Sequence, residues 1–164
     1  MCIRDRYNTM QTFIGVVGME PLHMVSPPSD DERRMTQFPD ELVTYLKAMV
    51  DKGLTPRDIV TRDAIRNAMI VSMAVGGSTN VLLHAPEIAR AAGYRNFAAD
   101  IMSPEEFNHL SQYVVPVLID ARPFGNYSMV DIDEKGGIQV IVKELLDAGL
   151  LNGDTMTCTG ETLA

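Results

Sequence analysis

The stretch that most constrains this chain is residues 62–75, preceded by Thr61 and followed by Gly76-Gly77. Thr61 has the side chain of a helix N-cap, and Ala64, Ile65, Ala68, Met69, Val71 and Ser72 fall at helical spacing behind it. Beyond Ala68 the run becomes apolar on every side. A helix that is apolar all round must be buried. The rest of the chain therefore has to supply elements that cover this one from several directions.

Other helix starts are written in the same grammar. Thr55-Pro56-Arg57-Asp58 places a capping hydroxyl before Pro at the first helical position, with an acid positioned to close a capping box. Ser103-Pro104-Glu105-Glu106 repeats the pattern ahead of Phe107 and Leu110. Pro39-Asp40-Glu41 opens a helix with Leu42, Leu46 and Met49 on one stripe and Gly53 as its stop. A helix over about 137–148 carries Ile138, Ile141, Val142 and Leu145, and Gly149 ends it. Residues 21–39, with Pro27-Pro28 and a charged run, read as a loop holding at most a short helix. Strand candidates are two: residues 114–119, irregular because of Pro116, and residues 155–159. The expected class is α/β and helix-rich, with too few strands to close a sheet of their own.

The chain is 164 residues long, 46 % hydrophobic and 22 % charged, which suits one globular domain or part of a larger one. Eleven methionines and no tryptophan make the core largely thioether and aliphatic. A formal charge of −8 argues against a nucleic-acid binder, which needs a basic face. No apolar run reaches the length of a membrane span, and nothing resembling a signal-peptide core follows the N-terminus. The expectation is a cytoplasmic protein acting on a small molecule, with neither nucleic acid nor membrane as partner. Cys2 and Cys158 lie at opposite ends and form no metal-spaced pair, so no metal ligand is assigned.

Chemistry concentrates at Gly76-Gly77-Ser78-Thr79-Asn80, where the buried helix ends and a second apolar segment begins. Glycines allow a tight turn and a close approach, and Ser, Thr and Asn stand beside the free N–H groups of a new helix. That combination suits a carboxylate or phosphate, but the same residues also serve as a plain helix–turn–helix corner. His84 falls one turn beyond Asn80. It reads either as a substrate-facing group or as a histidine bonded to a backbone carbonyl. Pro86 either kinks a continuous helix or marks the start of a separate one.

The segment from Asn67-Ala68-Met69 through Gly76-Gly77-Ser78-Thr79-Asn80 to His84, with Ala91-Ala92-Gly93 after it, resembles the central signature of the dihydroxy-acid and phosphogluconate dehydratase family. Pro56-Arg57-Asp58-Ile59-Val60-Thr61-Arg62 precedes it in the family's order. Pro116-Val117-Leu118-Ile119-Asp120, Pro123-Phe124-Gly125-Asn126-Tyr127, Gly136-Gly137-Ile138, Leu150-Leu151-Asn152-Gly153-Asp154 and Thr157-Cys158-Thr159-Gly160-Glu161 follow. The chain departs from the family pattern at Ala85-Pro86 and over residues 14–19.

The resemblance implies a hydro-lyase that removes water from a 2,3-dihydroxy carboxylic acid, either a branched-chain amino-acid precursor or a sugar acid, to give a 2-keto acid. Hydroxide leaves poorly at neutral pH, so the reaction needs a Lewis acid, and a base must take the proton at carbon 2. The family implies an iron–sulfur cluster and Mg²⁺ for the first task, and a serine in a β-rich second domain for the second. The parent is expected to be a homo-oligomer. The family's Cys-Asp-Lys motif is expected before residue 1 and the serine after Ala164. Cys2 stands one residue off the register of a further cluster cysteine, so the ligands are expected outside this chain. Residues 1–6 are expected to be foreign to the family. Residues 7–164 are expected to be part of the three-layer α/β first domain, inactive alone, with no catalytic residue of its own and with exposed apolar surface. Ser78, Thr79, Asn80 and His84 are the expected lining of the parent's substrate or cofactor pocket. A stand-alone carboxylate- or phosphate-binding module and a structural fragment without ligand are the alternatives.

Overall fold

The computed structural model describes residues 8–122 and 125–164. In chain order the helices are α1 (Thr9–Val17), α2 (Leu22–Val25), α3 (Arg33–Thr36), α4 (Phe38–Lys52), α5 (Pro56–Ile59) and α6 (Arg62–Ala74). They continue with α7 (Asn80–Ala92), α8 (Phe97–Asp100), α9 (Pro104–His109), α10 (Met129–Asp133) and α11 (Gly137–Asp147). A π-helical turn, Leu110–Val114, extends α9.

The centre is α6. Thr61 caps it by accepting from the Ala64 N–H at 3.3 Å. Ala64, Ile65, Ala68, Met69, Val71 and Ala74 are buried almost completely, as their all-round apolar pattern requires. Helix α1 packs along α6, contributing Phe13, Val16 and Val17, while α7 and α11 also meet it. Ile138, Val142 and Leu145 of α11 join the same core.

Three polar ties stitch distant segments to this centre. The Asn67 side chain, on α6 and 2 % exposed, donates to the Asn152 carbonyl at 2.8 Å and accepts from the Asn152 N–H at 2.9 Å. Buried Ser26 accepts from the Ile138 N–H at 3.0 Å. A Cβ on Gly137 would lie 2.8 Å from that Ser26 hydroxyl, so the glycine lets α11 start against the end of α2. The third tie, Thr9 to Ser78, belongs to the corner described below. In the 21–39 segment, Arg34 donates to the carbonyls of Pro27 (2.5 Å) and Pro28 (2.9 Å), and the Pro28 carbonyl also accepts from the Asp31 N–H at 3.1 Å.

Two expectations need correction. Neither strand candidate forms a strand: among the described residues there are only isolated bridges, Ala121 with Tyr127 and Met156 with Thr162. Val114 instead closes the π-helical turn, and residues 116–120 run straight without a ladder. Residues 155–163 fold back on themselves, with Thr157 N–H to Glu161 O at 2.9 Å and Leu163 N–H to Thr155 O at 2.9 Å. The reason is shared: a strand is stabilised by a neighbour, and the described residues supply none. The helix-rich half of the α/β expectation stands, and its sheet does not appear in the described residues.

The second correction concerns α4. The helix forms and stops at Gly53, but its apolar stripe is largely uncovered: Leu42 is 48 % exposed and Leu46 62 %, while Met49 is half-buried. Phe38 is its one buried residue. Exposed apolar surface, expected of this chain, is thus present on α4 and again at Leu83, Val117 and Tyr127. No helix of the described residues is long and apolar enough to cross a membrane. Cys2, Pro123 and Phe124, singled out in the sequence, lie outside the described residues, as do residues 1–6.

Candidate functional site

The corner after α6 is built by hydrogen bonds from three successive N–H groups, two to backbone carbonyls and one to a side chain. The Gly76 N–H bonds to Met73 O at 3.1 Å and the Gly77 N–H reaches back to Ser72 O at 2.8 Å, which ends the helix. Gly77 then passes so near α1 that a Cβ would lie 2.7 Å from the Ser72 carbonyl oxygen and 2.8 Å from the Thr9 methyl. Immediately afterwards the Ser78 N–H donates to Thr9 Oγ1 at 3.0 Å. Thr9 is 4 % exposed and is the first residue of α1. The start of α1 and the start of α7 therefore meet at this corner.

Ser78 also organises α7. Its Oγ accepts from the Asn80 N–H at 3.3 Å and its carbonyl from the Val81 N–H at 3.1 Å. The Leu82 N–H goes to Thr79 O at 3.0 Å. These bonds consume donors that an anion would otherwise use, so in the described residues Ser78 acts as a cap. Thr79, the formal N-cap, has a helical backbone (φ −58, ψ −12) and makes no side-chain cap bond.

Helix α7 runs through Pro86 without breaking, which settles the kink-or-start question in favour of a continuous helix. Proline has no N–H, so the Leu82 carbonyl loses its intrahelical partner. The unbroken helix places His84 one turn beyond Asn80 on the same face. Thr79, Asn80 and His84 are exposed and Ser78 is half-buried, so the four predicted residues are open to solvent. His84 is not a buried carbonyl-bonded histidine. Thr9 was missed by sequence reasoning. Its partner Ser78 is 69 residues away, and only its place in a short polar block at a helix start hinted at a role.

Two concavities lie elsewhere. One, about 470 Å³, runs between Leu118, Asp120, Tyr127, Ile132 and Val140; the other, about 600 Å³, lies between Thr55, Val60, Ile88 and Ala92. The 76–80 corner lines neither.

Among the described residues no group of three His, Cys, Asp or Glu side chains could hold a metal ion. Cys158 is a free, buried thiol, 7 % exposed. Burial pushes its pKa up, and the carboxylate of Glu20 adds to that, so it is the opposite of a ready thiolate ligand. The described residues do not fit an iron–sulfur cluster. Strong polar pairs instead join surface elements. His23 of α2 meets Glu41 of α4 at 2.6 Å, and a hydrogen bond from Gln37, followed by that from His23, lowers the Glu41 pKa. Arg33 bridges Asp31 (2.7 Å) and Asp133 (2.8 Å).

Comparison with known proteins agrees with the sequence signature. The family model described as dihydroxy-acid/6-phosphogluconate dehydratase N-terminal matches residues 7–164. The dihydroxy-acid dehydratase of Acidothermus cellulolyticus is 43 % identical over 159 residues, covering 96 % of this chain and 27 % of that protein. The dihydroxy-acid dehydratase of Leifsonia xyli subsp. xyli is 42 % identical over 157 residues, covering 96 % of this chain and 26 % of that protein. The chain thus spans about a quarter of the length of the curated relatives it matches. It belongs to the dihydroxy-acid/6-phosphogluconate dehydratase N-terminal family.

Proposed function

We propose that these residues are a segment of a hydro-lyase that dehydrates a 2,3-dihydroxy carboxylic acid to a 2-keto acid, and that the segment is inactive alone. The observation that carries this reading is the 43 % identity to a dihydroxy-acid dehydratase over 96 % of the chain, confined to 27 % of the relative. An iron–sulfur cluster and Mg²⁺ would be held by residues outside those described, since none of these fits them. The rest of the molecule would complete a three-layer α/β first domain and supply the base. A cytoplasmic homo-oligomer is the assembly this reading implies.

Within the segment, Ser78, Thr79, Asn80 and His84 form one side of the substrate or cofactor pocket. Their support is positional. An unbroken α7 presents Asn80 and His84 on one open face, and buried Thr9 is hydrogen-bonded to the turn before them. A small polar surface on a fixed backbone is what orients a hydroxy acid. The rival reading, a self-sufficient carboxylate- or phosphate-binding module, is weakened because the Asn80, Val81 and Leu82 N–H groups are already bonded.

The test uses the polypeptide encoded by the complete reading frame, assayed for release of a 2-keto acid from branched and sugar-derived dihydroxy acids. Ser78→Ala and His84→Ala should each lower kcat or raise KM by about tenfold or more while the protein stays folded, Ser78→Ala losing no more than the roughly 0.5–2 kcal/mol of its cap bond. Wild-type kinetics in both variants would reduce the corner to a cap. A complete protein without dehydratase activity on any dihydroxy acid would remove the functional reading altogether.

A further inference from the structure

Residues 115–121 pose an unsolved packing problem. Val115 leaves the π-helical turn in an extended conformation (φ −91, ψ 115), and residues 116–120 continue with no helix, turn or bend. Val115, Ile119 and Ala121 contact the core, whereas Val117 is 70 % exposed and Leu118 43 % exposed. A run that is apolar at both odd and even positions has the composition of a strand buried on both faces. Here it lies on the surface.

The backbone shows which edge is vacant. In an extended chain the N–H and C=O of one residue point to the same side, and those of the next residue to the other. On the side of Pro116, Leu118 and Asp120 the groups are largely closed. Pro116 has no donor, the Leu118 N–H bonds to Ala74 O at 2.7 Å, and Asp120 O accepts from Tyr127 N–H at 3.0 Å. On the opposite side the N–H and C=O of Val117 and Ile119 have no hydrogen-bond partner among the described residues. Two donors and two acceptors, spaced two residues apart, match the register of one added strand. Alongside runs the concavity of about 470 Å³, walled by Leu118, Tyr127, Ile132 and Val140, which can take the side chains of whatever covers the strand.

We infer that the Val117–Ile119 edge is a docking site for an extended, apolar strand of the same polypeptide lying outside these 164 residues. Residues 116–120 become a sheet strand only when that segment pairs with them. The choice of occupant rests on the functional reading above. Relatives are about four times the length of this chain, so most of such a polypeptide lies outside it and is available to pair. A strand apolar on both faces also needs neighbours and a covering layer, which the eleven helices described here do not provide.

The experiment is amide hydrogen exchange on the polypeptide of the complete reading frame, compared with intrinsic rates. The Val117 and Ile119 amides should exchange at least about 100-fold slower than unprotected amides, at a rate independent of protein concentration. Val117→Pro, which deletes one donor, should lower the melting temperature or the folded yield clearly more than Val117→Ala, which keeps the donor and loses only side-chain burial. Unprotected amides, or a Val117→Pro variant as stable as Val117→Ala, would overturn the inference. So would protection that rises with concentration, which would assign the edge to a second copy. Dehydratase activity is read separately. An active protein with unprotected amides sinks only the docking site, and an inactive one with protected amides sinks only the functional reading.

Discussion

Replacing Asn67 tests how strongly one buried side chain holds the C-terminal turn to the central helix. Its amide makes reciprocal bonds with both backbone groups of Asn152, at 2.8 and 2.9 Å, and a longer contact with Thr155 Oγ1 at 3.4 Å. In Asn67→Ala both bonds vanish. Each is worth about 1 kcal/mol net, and a stranded buried group costs about 1–3 kcal/mol more. Asn152 is itself exposed, so water can reach part of what is stranded, and the expected loss is at the lower end, about 2 kcal/mol. That corresponds to about 4–8 °C in Tm for a chain of this size. Asn67→Asp separates the two bonds. The new carboxylate can still accept from the Asn152 N–H, but it turns lone pairs toward the Asn152 carbonyl, and protonation restores the lost donor. The folded-state pKa of that carboxyl therefore lies above its unfolded value. The favourable contribution is present at low pH and is lost as pH rises through the folded pKa. Urea melts followed by far-UV circular dichroism should show the Asp variant closer to the parent at pH 5 than at pH 7. An Asn67→Ala variant within about 0.5 kcal/mol of the parent, or an Asp deficit independent of pH, would refute the reasoning.

Two further expectations are direct. Gly77→Ala should destabilise by more than the few tenths of a kcal/mol typical of a surface change, because the methyl would meet the Ser72 carbonyl and the Thr9 methyl; a thermal melt unchanged by the substitution would contradict the close approach. The Asp31 carboxyl, hydrogen-bonded by the side chain and backbone of Arg33, is lowered to about 2, so it should stay ionised at pH 3 in a carboxyl-carbon NMR titration and return toward 3.8 in Arg33→Ala. Its stabilising contribution is full above the unfolded pKa and fades as pH falls toward 2.

What the sequence reveals divides by range. The caps at Thr61 and Ser103, the capping box at Thr55, the stops at Gly53 and Gly149 and the burial of α6 follow from neighbours within four residues, and they are legible for that reason. Fates that depend on a distant partner are not. The pattern of residues 114–119 says strand, but a strand exists only beside another. The α4 stripe says buried, but nothing among the described residues covers Leu46. The Gly-Gly-Ser-Thr-Asn corner was readable as a corner. Its contact with Thr9 was not, because a hydrogen bond spanning 69 residues leaves no local trace. His84 was readable as sharing a face with Asn80 once α7 was taken as continuous, an assumption that Pro86 made insecure.

The burial of α6 has a cost in time. Its greasy surface is wrapped on one side by α1, which precedes it, and on another by α11, which begins about 60 residues after it ends. At about 5–20 residues per second of synthesis, that flank stays bare for roughly 3–12 s before its cover leaves the ribosome. A nascent chain of this kind must keep an oily rod from finding the wrong neighbour, and helper proteins that shield such surfaces would act most usefully in that interval.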